Sequence, residues 1–544
     1  MAVSPVGERT AAARVVVLGG GFAGVAVAST LERQAPRGLL DVQIVNRDNF
    51  ALFHPMLPEV AGGGIEAHHI LSPLRQLCPR STVTVGAVQE VDLDRRLVTV
   101  AHGPHEQQTT IPYDLLVVAV GAVTNFSEVT GMAQHAFALK TIGDALHLRN
   151  HVVNMLEEAD VETDPDLRRE LLTFVVAGGG FSGVEMVAEL NDFVVAASRY
   201  YSRVDPRDVR VVLLHGGHRI LPELSEDLAA FAAAHLERRG IEVRLKTMLD
   251  GATENDCLLK GGETIPSRTL VCTIGTANNP LIGKLSCSKD ERGRLLVTPE
   301  LEITDRPGVW GLGDCAVVPN EATGKPSPPT AQFAQREGRL AAQNILAHLS
   351  GKPKTPFSYH GAGQLVSLGR RSAVAEVFGA KVSGFPAWWL WRTVYLGKLP
   401  GVARKTRVAL DWTLDLLFGR DITQLPLDRA ERVGRAHYEP GDEIIQQGDF
   451  GDRFYVIADG EVDVIREGVD GSEAVISRLG EGEFFGEMAL LQGKLKRNAT
   501  VRAVTAVNVV SLARDDFTVL AREWSGLKKL IDENVEERGG PHAP

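Results

Sequence analysis

The sequence predicts an α/β fold in which two parallel-sheet domains precede an amphipathic segment and a small β-roll. A buried strand, a glycine turn and a helix follow one another at residues 14–30, and the same order recurs at residues 173–190. After residue 436 the pattern changes to short strands separated by glycine turns, which predicts the β-roll. The repeated glycine turn is typical of Rossmann-like dinucleotide-binding domains.

The first glycine turn contains Gly19, Gly21 and Gly24 after a short apolar strand. The first glycine permits the tight turn, the second lets the backbone approach a pyrophosphate, and the third lets helix and strand pack closely. The pyrophosphate would lie at the positive end of the helix. The next strand ends at Asn46, where a carboxylate for the ribose is usual, so we expect weaker pairing through the amide.

The second glycine turn contains Gly178, Gly180 and Gly183. Two such turns in one chain indicate an FAD that is held permanently and a nicotinamide donor that exchanges. The strand at residues 210–214 ends at His215 instead of an acid, which removes the repulsion against a 2′-phosphate. The sequence therefore leaves the donor open between NADH and NADPH.

Further positions complete the two predicted sites. The strand at residues 115–121 ends at Gly121, and its near repeat at residues 271–275 ends at Gly275. Asp314 follows a strand and a glycine turn, so we expect it to bind the ribityl hydroxyls of FAD. A helix that begins at Ala331 would direct its positive end toward the isoalloxazine. Residues 53–64 contain two prolines and a glycine run, which predicts a fixed loop over the first turn.

Composition excludes several function classes. The net charge of −11 argues against a nucleic-acid partner. The 5 cysteines have neither C-x-x-C nor metal-ligand spacing, which favours a reducing cytosol and predicts no disulfide framework and no metal site. His54, His68 and His69 also lack carboxylate or cysteine spacing, so we interpret them as surface polar groups. The N-terminal stretch lacks the apolar core of a secretion signal, so the protein is not expected to be secreted.

The predicted domain boundaries follow from these patterns. They are a disordered tail (1–13), an FAD domain (14–121 plus 282–350), an NAD(P)H domain (122–281), a C-terminal segment (351–427), a linker (428–435), the β-roll (436–525) and a second tail (526–544). The family resemblance given next implies that segment 351–427 lies on the quinone side and anchors the protein to a membrane.

Five motifs together carry a family resemblance: GGGFAG at 19–24, FHPMLPEVA at 53–61, GGGFSGVE at 178–185, GLGDCA at 311–316 and PPTAQFA at 328–334. They resemble the type II, non-proton-pumping NADH:quinone oxidoreductases, which have the disulfide-reductase flavoprotein fold without its redox cysteines. The resemblance implies hydride transfer from NADH to FAD and then two-electron transfer to a respiratory quinone. It also implies that Glu185 lies near flavin and nicotinamide, and that Ala331 and Gln332 line the quinone site. Glu185 is a candidate proton carrier, or else a buried acid that only binds backbone or ribose.

Residues 385–425 predict contact with a membrane surface. Four tryptophans, Trp388, Trp389, Trp391 and Trp412, alternate with arginine and lysine, a composition that suits the headgroup region. Polar and leucine faces recur at helical spacing from residue 404, so the helix would lie on the bilayer as a peripheral element at the cytoplasmic face. The alternative is a helix that packs on its own protein or on the second copy of a homodimer.

The β-roll resembles cyclic nucleotide-binding domains across residues 436–524. The resemblance implies that Gly486 and Ala489 belong to the cassette that holds the cyclic phosphate, that Glu487 takes the ribose 2′-hydroxyl and that Arg497 pairs with the phosphate. Extra length at residues 494–496 and Asn498 in place of a small residue depart from the pattern. The domain would bind cAMP or cGMP and regulate turnover, or serve as a docking module without ligand.

Two other functions stay open. A sulfide:quinone oxidoreductase would use cysteines beside the flavin, and Cys315 lies in the flavin motif. The chain could instead be a cyclic-nucleotide sensor on a flavoprotein scaffold that no longer turns over.

Overall fold

The computed structural model describes residues 12–103, 107–126, 129–425, 433–448, 453–468, 472–487, 497–513 and 517. The chain forms two compact units, Met1–Gln424 and Leu425–Pro544.

The first part of the larger unit is a parallel sheet with an antiparallel meander. Its elements are β1 (Ala13–Leu18), α1 (Phe22–Gln34), β2 (Leu40–Asn46), β3 (Phe50–Leu52), α2 (Leu57–Ala61), β4 (Leu71–Pro73), α3 (Leu74–Leu77), β5 (Thr82–Val85), β6 (Ala87–Asp92), β7 (Leu97–His102), β8 (Gln107–Pro112) and β9 (Leu115–Val118). Strands β1 and β9 are almost wholly apolar and buried, as expected for central parallel strands. The predicted loop at residues 53–64 is wrong in part, because Pro58 lies in the first turn of α2, where proline is tolerated.

An inserted domain repeats this plan. Its elements are β10 (Ala122–Thr124), α4 (Met132–His135), β11 (Ala136–Phe137), α5 (Ile142–Val161), α6 (Pro165–Leu171), β12 (Thr173–Ala177), α7 (Phe181–Ala197), β13 (Arg210–Leu214), α8 (Glu226–Arg238), β14 (Ile241–Arg244), β15 (Leu249–Ala252), β16 (Asp256–Leu259), β17 (Thr264–Pro266), β18 (Thr269–Cys272) and β19 (Thr276–Asn278). Its parallel sheet has the order β11-β18-β12-β13-β14, and β15 to β17 form its meander. Strands β10 and β19 pair antiparallel where the chain enters and leaves the domain.

The chain then returns to complete the first domain. The returning elements are α9 (Pro280–Lys284), β20 (Leu295–Leu296), β21 (Val309–Gly311), β22 (Ala316–Val317), β23 (Pro319–Asn320), β24 (Lys325–Pro326) and α10 (Ala331–Leu349). Strand β21 joins the first sheet, whose order is β21-β9-β1-β2-β5. Helices α1 and α10 cross closely, because a Cβ on Gly338 would lie 2.3 Å from the Ala23 carbonyl oxygen. The two predicted Rossmann-like domains are confirmed.

A C-terminal segment closes the larger unit. It contains β25 (Gln364–Ser367), β26 (Ala373–Val377), β27 (Ala380–Gly384), α11 (Phe385–Lys398) and α12 (Val402–Leu417). The three strands form an antiparallel sheet that packs against α7 and α11. Among the residues described above, no helix has the length and apolar content that crossing a membrane requires.

The smaller unit is a β-roll of two four-stranded sheets. Its described strands are β28 (Val433–Tyr438), β29 (Glu443–Ile445), β30 (Arg453–Asp459), β31 (Val462–Glu467), β32 (Glu473–Leu479), β33 (Phe484–Phe485), β34 (Thr500–Ala503) and β35 (Val507–Ala513). The sheets have the orders β28-β35-β30-β33 and β29-β34-β31-β32, and apolar side chains such as Ile457, Val462 and Val509 fill the space between them. The predicted β-roll is therefore confirmed.

Candidate active site

The first glycine turn has no room for side chains at two positions and faces open space at a third. Gly19 has φ +104°, and a Cβ there would lie 2.3 Å from the Ala119 carbonyl oxygen. A Cβ on Gly24 would lie 1.9 Å from the Gly19 carbonyl oxygen, whereas a Cβ on Gly21 would contact nothing within 4 Å. Gly19 and Gly24 thus keep strand and helix together, and Gly21 leaves the space that a phosphate needs.

The second glycine turn repeats this geometry. Gly178 has φ +117°, and a Cβ on Gly183 would lie 1.7 Å from the Gly178 carbonyl oxygen. Gly180 again faces open space within 4 Å. Both turns therefore have the shape of dinucleotide sites.

The two residues that replace the usual acids occupy equivalent positions. Asn46 Oδ1 accepts a hydrogen bond from the Gly20 N–H at 2.8 Å, and His215 Nδ1 accepts one from the Gly179 N–H at 3.2 Å. Burial lowers the pKa of His215, and nearby His218 adds to that shift. His215 is therefore a neutral imidazole at pH 7, and it fixes the turn without adding charge beside the ribose.

A cavity of about 900 Å³ joins three parts of the larger unit. The FAD domain contributes the first glycine turn, Gly121 and Asp314, and the inserted domain contributes Glu185 and Gly275. The C-terminal segment contributes Gln364, Tyr395 and Lys398. The sequence predicted none of these three at the site, although Lys398 belongs to the basic residues expected at the membrane surface. FAD, a nicotinamide ring and a third reactant can therefore meet in one space.

The polar groups of this cavity fit a bound FAD. Thr330 Oγ1 and Gln364 Oε1 are buried on the cavity wall and have no hydrogen-bond partner among the described residues. Ala331 begins α10 at the same wall, so its helix end directs free N–H groups toward the cavity. Burial raises the pKa of Asp314, although Lys140 opposes the shift, and a carboxyl in this state suits hydroxyl partners.

His54 lines this cavity and is exposed to solvent there, so it remains an accessible polar group. The ring lies beside the Phe22 ring, with 6.3 Å between centroids, and Nδ1 lies 3.2 Å from the Leu52 carbonyl oxygen. The protein atoms packed around the ring, followed by the charge of Lys140, lower its pKa to about 4. The imidazole is therefore neutral at pH 7. Among the described residues, no group of three or more metal-ligating side chains comes together.

Glu337 was missed by the sequence reasoning. Its Oε2 accepts a hydrogen bond from the Gly313 N–H at 2.8 Å, and burial raises its pKa to about 7. The carboxyl thus holds the turn that presents Asp314. The sequence feature that could have predicted it is an acid among the small residues that form the buried face of the helix beginning at Ala331.

Glu185 is buried at the start of α7 and lines the cavity. Its Oε1 accepts hydrogen bonds from the Ser367 N–H at 3.0 Å and from Trp391 Nε1–H at 3.2 Å. Burial raises its pKa to about 8, although both hydrogen bonds oppose the shift. Glu185 can therefore hold or release a proton near neutral pH.

Gln332 lines the cavity, but its amide holds a neighbouring loop. Nε2–H donates to the Gly363 carbonyl oxygen at 3.3 Å, and Oε1 accepts from the Tyr359 hydroxyl and the Ala362 N–H, both at 3.3 Å. Its role here is to fix residues 359–363 on the cavity wall.

The cysteines do not form a redox pair. All 5 are free thiols. Cys315 is fully buried, its Sγ–H donates to the Leu312 carbonyl oxygen at 3.3 Å, and burial raises its pKa to about 12. A protonated lone thiol cannot perform the chemistry that the sulfide:quinone alternative requires.

In the smaller unit, two of the predicted nucleotide-binding side chains are buried near one another. Glu487 and Arg497 are both largely buried, and Arg497 donates to the carbonyl oxygens of Gly486 and Arg453, each at 2.9 Å. Asn498 is exposed, and Ala489 with residues 494–496 lies outside the described residues.

Comparisons with known proteins agree with this arrangement. The family model described as pyridine nucleotide-disulphide oxidoreductase matches residues 13–338, the NDH2 C-terminal domain model matches residues 361–421, and the cyclic nucleotide-binding domain model matches residues 435–523.

Two curated relatives and one solved structure illustrate the similarity. The type II NADH:quinone oxidoreductase Ndh of Mycobacterium tuberculosis is 32% identical over 448 residues, which cover 79% of this chain and 94% of that protein. A probable NADH dehydrogenase of Dictyostelium discoideum is 31% identical over 392 residues, which cover 70% of this chain and 86% of that protein. The structure of NDH2 from Plasmodium falciparum in complex with NADH has a TM-score of 0.70 at 18% identity, covers 76% of this chain and 99% of that chain, and supports the fold alone.

Proposed function

Because this chain belongs to the type II NADH:quinone oxidoreductase family, we propose that it oxidises NADH through FAD and reduces a membrane quinone without pumping protons. The observation that carries the proposal is the single 900 Å³ cavity, which both nucleotide domains and the C-terminal segment line together. Because the donor and the acceptor would both contact the same flavin, electrons would pass between them without a further redox centre.

The residues of the chain bind and orient the reactants. FAD, when bound, accepts a hydride from the nicotinamide and passes two electrons to the quinone. The first glycine turn and Asp314 hold FAD, and the second turn with Gly275 holds the donor. Tyr395 and Lys398 line the part of the cavity that α11 contributes, so they orient the quinone. Glu185 lies at the same wall and exchanges a proton there.

NADH is the preferred donor in this proposal. A 2′-phosphate would need a cation at the end of β13, and the neutral imidazole of His215 does not supply one. NADPH is therefore the slower donor.

An anaerobic half-reaction experiment tests both steps. We expect NADH to bleach the flavin absorbance of the purified protein faster than NADPH does, and a soluble quinone to restore the absorbance. Bleaching by sulfide alone would contradict the proposal and favour the sulfide:quinone alternative. A protein without bound flavin would favour the sensor alternative.

An apolar surface of α11 and α12 supports attachment to a membrane surface, which we take to be the cytoplasmic face. Phe385, Trp389, Leu410, Leu414 and Leu417 are all at least half exposed. On the other side of α12, Asp411 pairs with His69 at 2.5 Å and the Arg404 guanidinium donates to the Leu71 carbonyl oxygen, so that side is turned to the protein. The helix thus lies with one apolar face outward, as an interfacial helix does.

The smaller unit supports control by a cyclic nucleotide. Burial of Glu487 and Arg497 near a glycine turn keeps an acid and a cation in place for the ribose and the cyclic phosphate. Binding can change turnover only if the nucleotide has different affinities for two states of the enzyme.

Calorimetry with cAMP and cGMP tests this part of the proposal. We expect Arg497→Lys to weaken binding by roughly 10-fold, because a bidentate charged contact is lost. Arg478→Lys, at an exposed ion pair with Asp463, is the matched control. Unchanged turnover at saturating nucleotide would contradict regulation even if binding occurs.

A further inference from the structure

A second, polar cavity of about 220 Å³ lies further along α7, toward its C-terminal end, and against the first half of α11. Its walls include Glu59, Glu189, Arg392 and Trp412, and it reaches the surface beside Arg370, whose side chain is 58% exposed. At about 30 Å³ per molecule of liquid water, it has room for several waters. Proton transfer between buried acids and solvent requires such a space.

Two tryptophan–glutamate pairs stand side by side between the two cavities. Trp391 Nε1–H donates to Glu185 at 3.2 Å, and Trp412 Nε1–H donates to Glu59 at 3.0 Å. The two indole rings are 6.1 Å apart. Glu185 lines the flavin cavity and Glu59 lines the polar cavity, and the two carboxyl groups are near enough for the charge of Glu185 to act on Glu59.

Glu59 has one oxygen that the protein does not satisfy. Only 8% of the residue is exposed, yet Glu59 Oε2 has no hydrogen-bond partner among the described residues. Burial raises its pKa well above the usual range, and the charges of Glu189 and Glu185 add to this, against Arg392 and Trp412. Burial therefore favours the neutral form of Glu59, and its second oxygen is available to the cavity.

The neighbouring carboxylates are held as ion pairs. Glu189 pairs with Arg420 at 2.9 Å, and Arg420 pairs with Asp415 at 3.2 Å. Asp192 pairs with Arg370 at 3.1 Å near the surface. Burial also raises the pKa of Glu189, against the charge of Arg420. Glu189 is nevertheless bonded to that arginine, whereas Glu59 keeps an oxygen without a partner among the described residues, so Glu59 is the better candidate for proton exchange.

The reaction consumes one proton from solvent. In NADH + H⁺ + quinone → NAD⁺ + quinol, the hydride supplies two electrons and the equivalent of one proton. The quinol carries two protons on oxygen, so the second must enter from water. The flavin cavity is partly apolar, and Glu185 is buried in its wall, so a proton that reaches Glu185 needs a path.

We propose that Glu59 relays the proton consumed in quinone reduction, taking it from the surface through the polar cavity and passing it to Glu185. The inference rests on the proposed reduction of a quinone. Glu59 touches neither donor nor acceptor, so it acts through Glu185.

The test compares the two half-reactions in Glu59→Gln. We expect flavin bleaching by NADH at the wild-type rate, because hydride transfer takes up no proton, which also reports a folded active site. We expect the return of flavin absorbance with quinone to slow at least about 10-fold, because a positioned proton carrier is lost. Glu59→Asp should recover part of the rate. Glu170→Gln, which removes a carboxylate that lines neither cavity, should leave both rates unchanged.

An infrared readout accompanies the rates. The carbonyl stretch of a neutral carboxylic acid should be present in wild type at pH 7 and be diminished in Glu59→Gln. A Glu59→Gln protein with normal quinone recovery, or without that spectral loss, would overturn the relay. A wild-type protein that quinone fails to reoxidise would instead overturn the proposed function.

Discussion

Asn46 and His215 do the same structural work in their two domains. Asn46 ends β2 and His215 follows β13, and each accepts a hydrogen bond from the N–H of the glycine directly after the first glycine of the facing turn, Gly20 or Gly179. A side-chain acceptor, and not a charge, is therefore what the turn requires. The carboxylate that is usual at this position binds the ribose hydroxyls, and this chain lacks it in both domains.

Replacing the imidazole should restore discrimination between donors. We expect His215→Glu to raise the preference for NADH over NADPH by about 10-fold, since a carboxylate binds the ribose hydroxyl and repels a 2′-phosphate. The ratio of flavin bleaching rates measures this. His215→Gln keeps a neutral acceptor for Gly179, and an equal ratio in both variants would contradict the explanation.

The close packing of the first glycine turn predicts the effect of a side chain at Gly24. Gly24→Ala places a Cβ 1.9 Å from the Gly19 carbonyl oxygen, so the turn must open and FAD binding should be lost. Flavin content after purification measures it. Gly283→Ala is a matched helical control with nothing within 4 Å, and it should keep flavin and gain up to about 1 kcal/mol of stability.

At the scale of elements, the tryptophans of α11 and α12 show where composition misleads. Trp388, Trp391 and Trp412 are buried, and only Trp389 of the four is exposed. The prediction of four interfacial indoles was therefore wrong for three. The partners of Trp391 and Trp412 are buried glutamates more than 200 residues away, and no local pattern reports such pairs.

The same region also shows what a local pattern does predict. Helical spacing alone placed Leu410, Leu414 and Leu417 on one face, and all three are exposed. Strands, glycine turns and helix starts were likewise predicted, because they depend on short-range sterics and periodicity. The family resemblance, also carried by short motifs, is confirmed. Tyr395, Lys398 and Glu59 were missed because tertiary folding alone brings them to the cavities.

The outward leucines should determine membrane affinity. Burying one leucine is worth about 1.5–3 kcal/mol, so Leu414→Ser with Leu417→Ser should weaken binding to anionic vesicles by on the order of 10²-fold or more. Co-sedimentation measures it. Val161→Ser, at another exposed apolar position, should bind as wild type does. Unchanged vesicle binding with an altered oligomeric state would favour the homodimer alternative.

At the scale of the whole molecule, buried acids link stability to pH. The pKa of Glu185 is about 8 in the folded protein, against 4.5 ordinarily. Between these values the folded protein binds more protons than the unfolded chain, so this group lowers the free energy of unfolding as pH rises through the window. Glu59 and Glu337 act in the same direction.

Glu185→Gln should remove that contribution. From about pH 5 to about pH 8, the Tm of the variant should rise relative to that of wild type. The corresponding difference in the free energy of unfolding should change by at most about 1.4 kcal/mol per pH unit. Differential scanning calorimetry of the FAD-bound proteins measures it. Glu254→Gln, at an exposed position, controls for the substitution itself. A Tm difference that does not vary with pH would contradict the assignment.

The crossing of α1 and α10 bears on the order in which the protein can be assembled. Gly338 and Ala23 touch across more than 300 residues of chain, and β21 must also reach β9 before the first sheet is complete. The inserted domain is contiguous and needs no such return. The NAD(P)H domain can therefore complete its fold on the ribosome before the last strand and helix of the FAD domain are synthesised. We expect FAD to bind only after the chain has been synthesised to residue 349, where α10 ends.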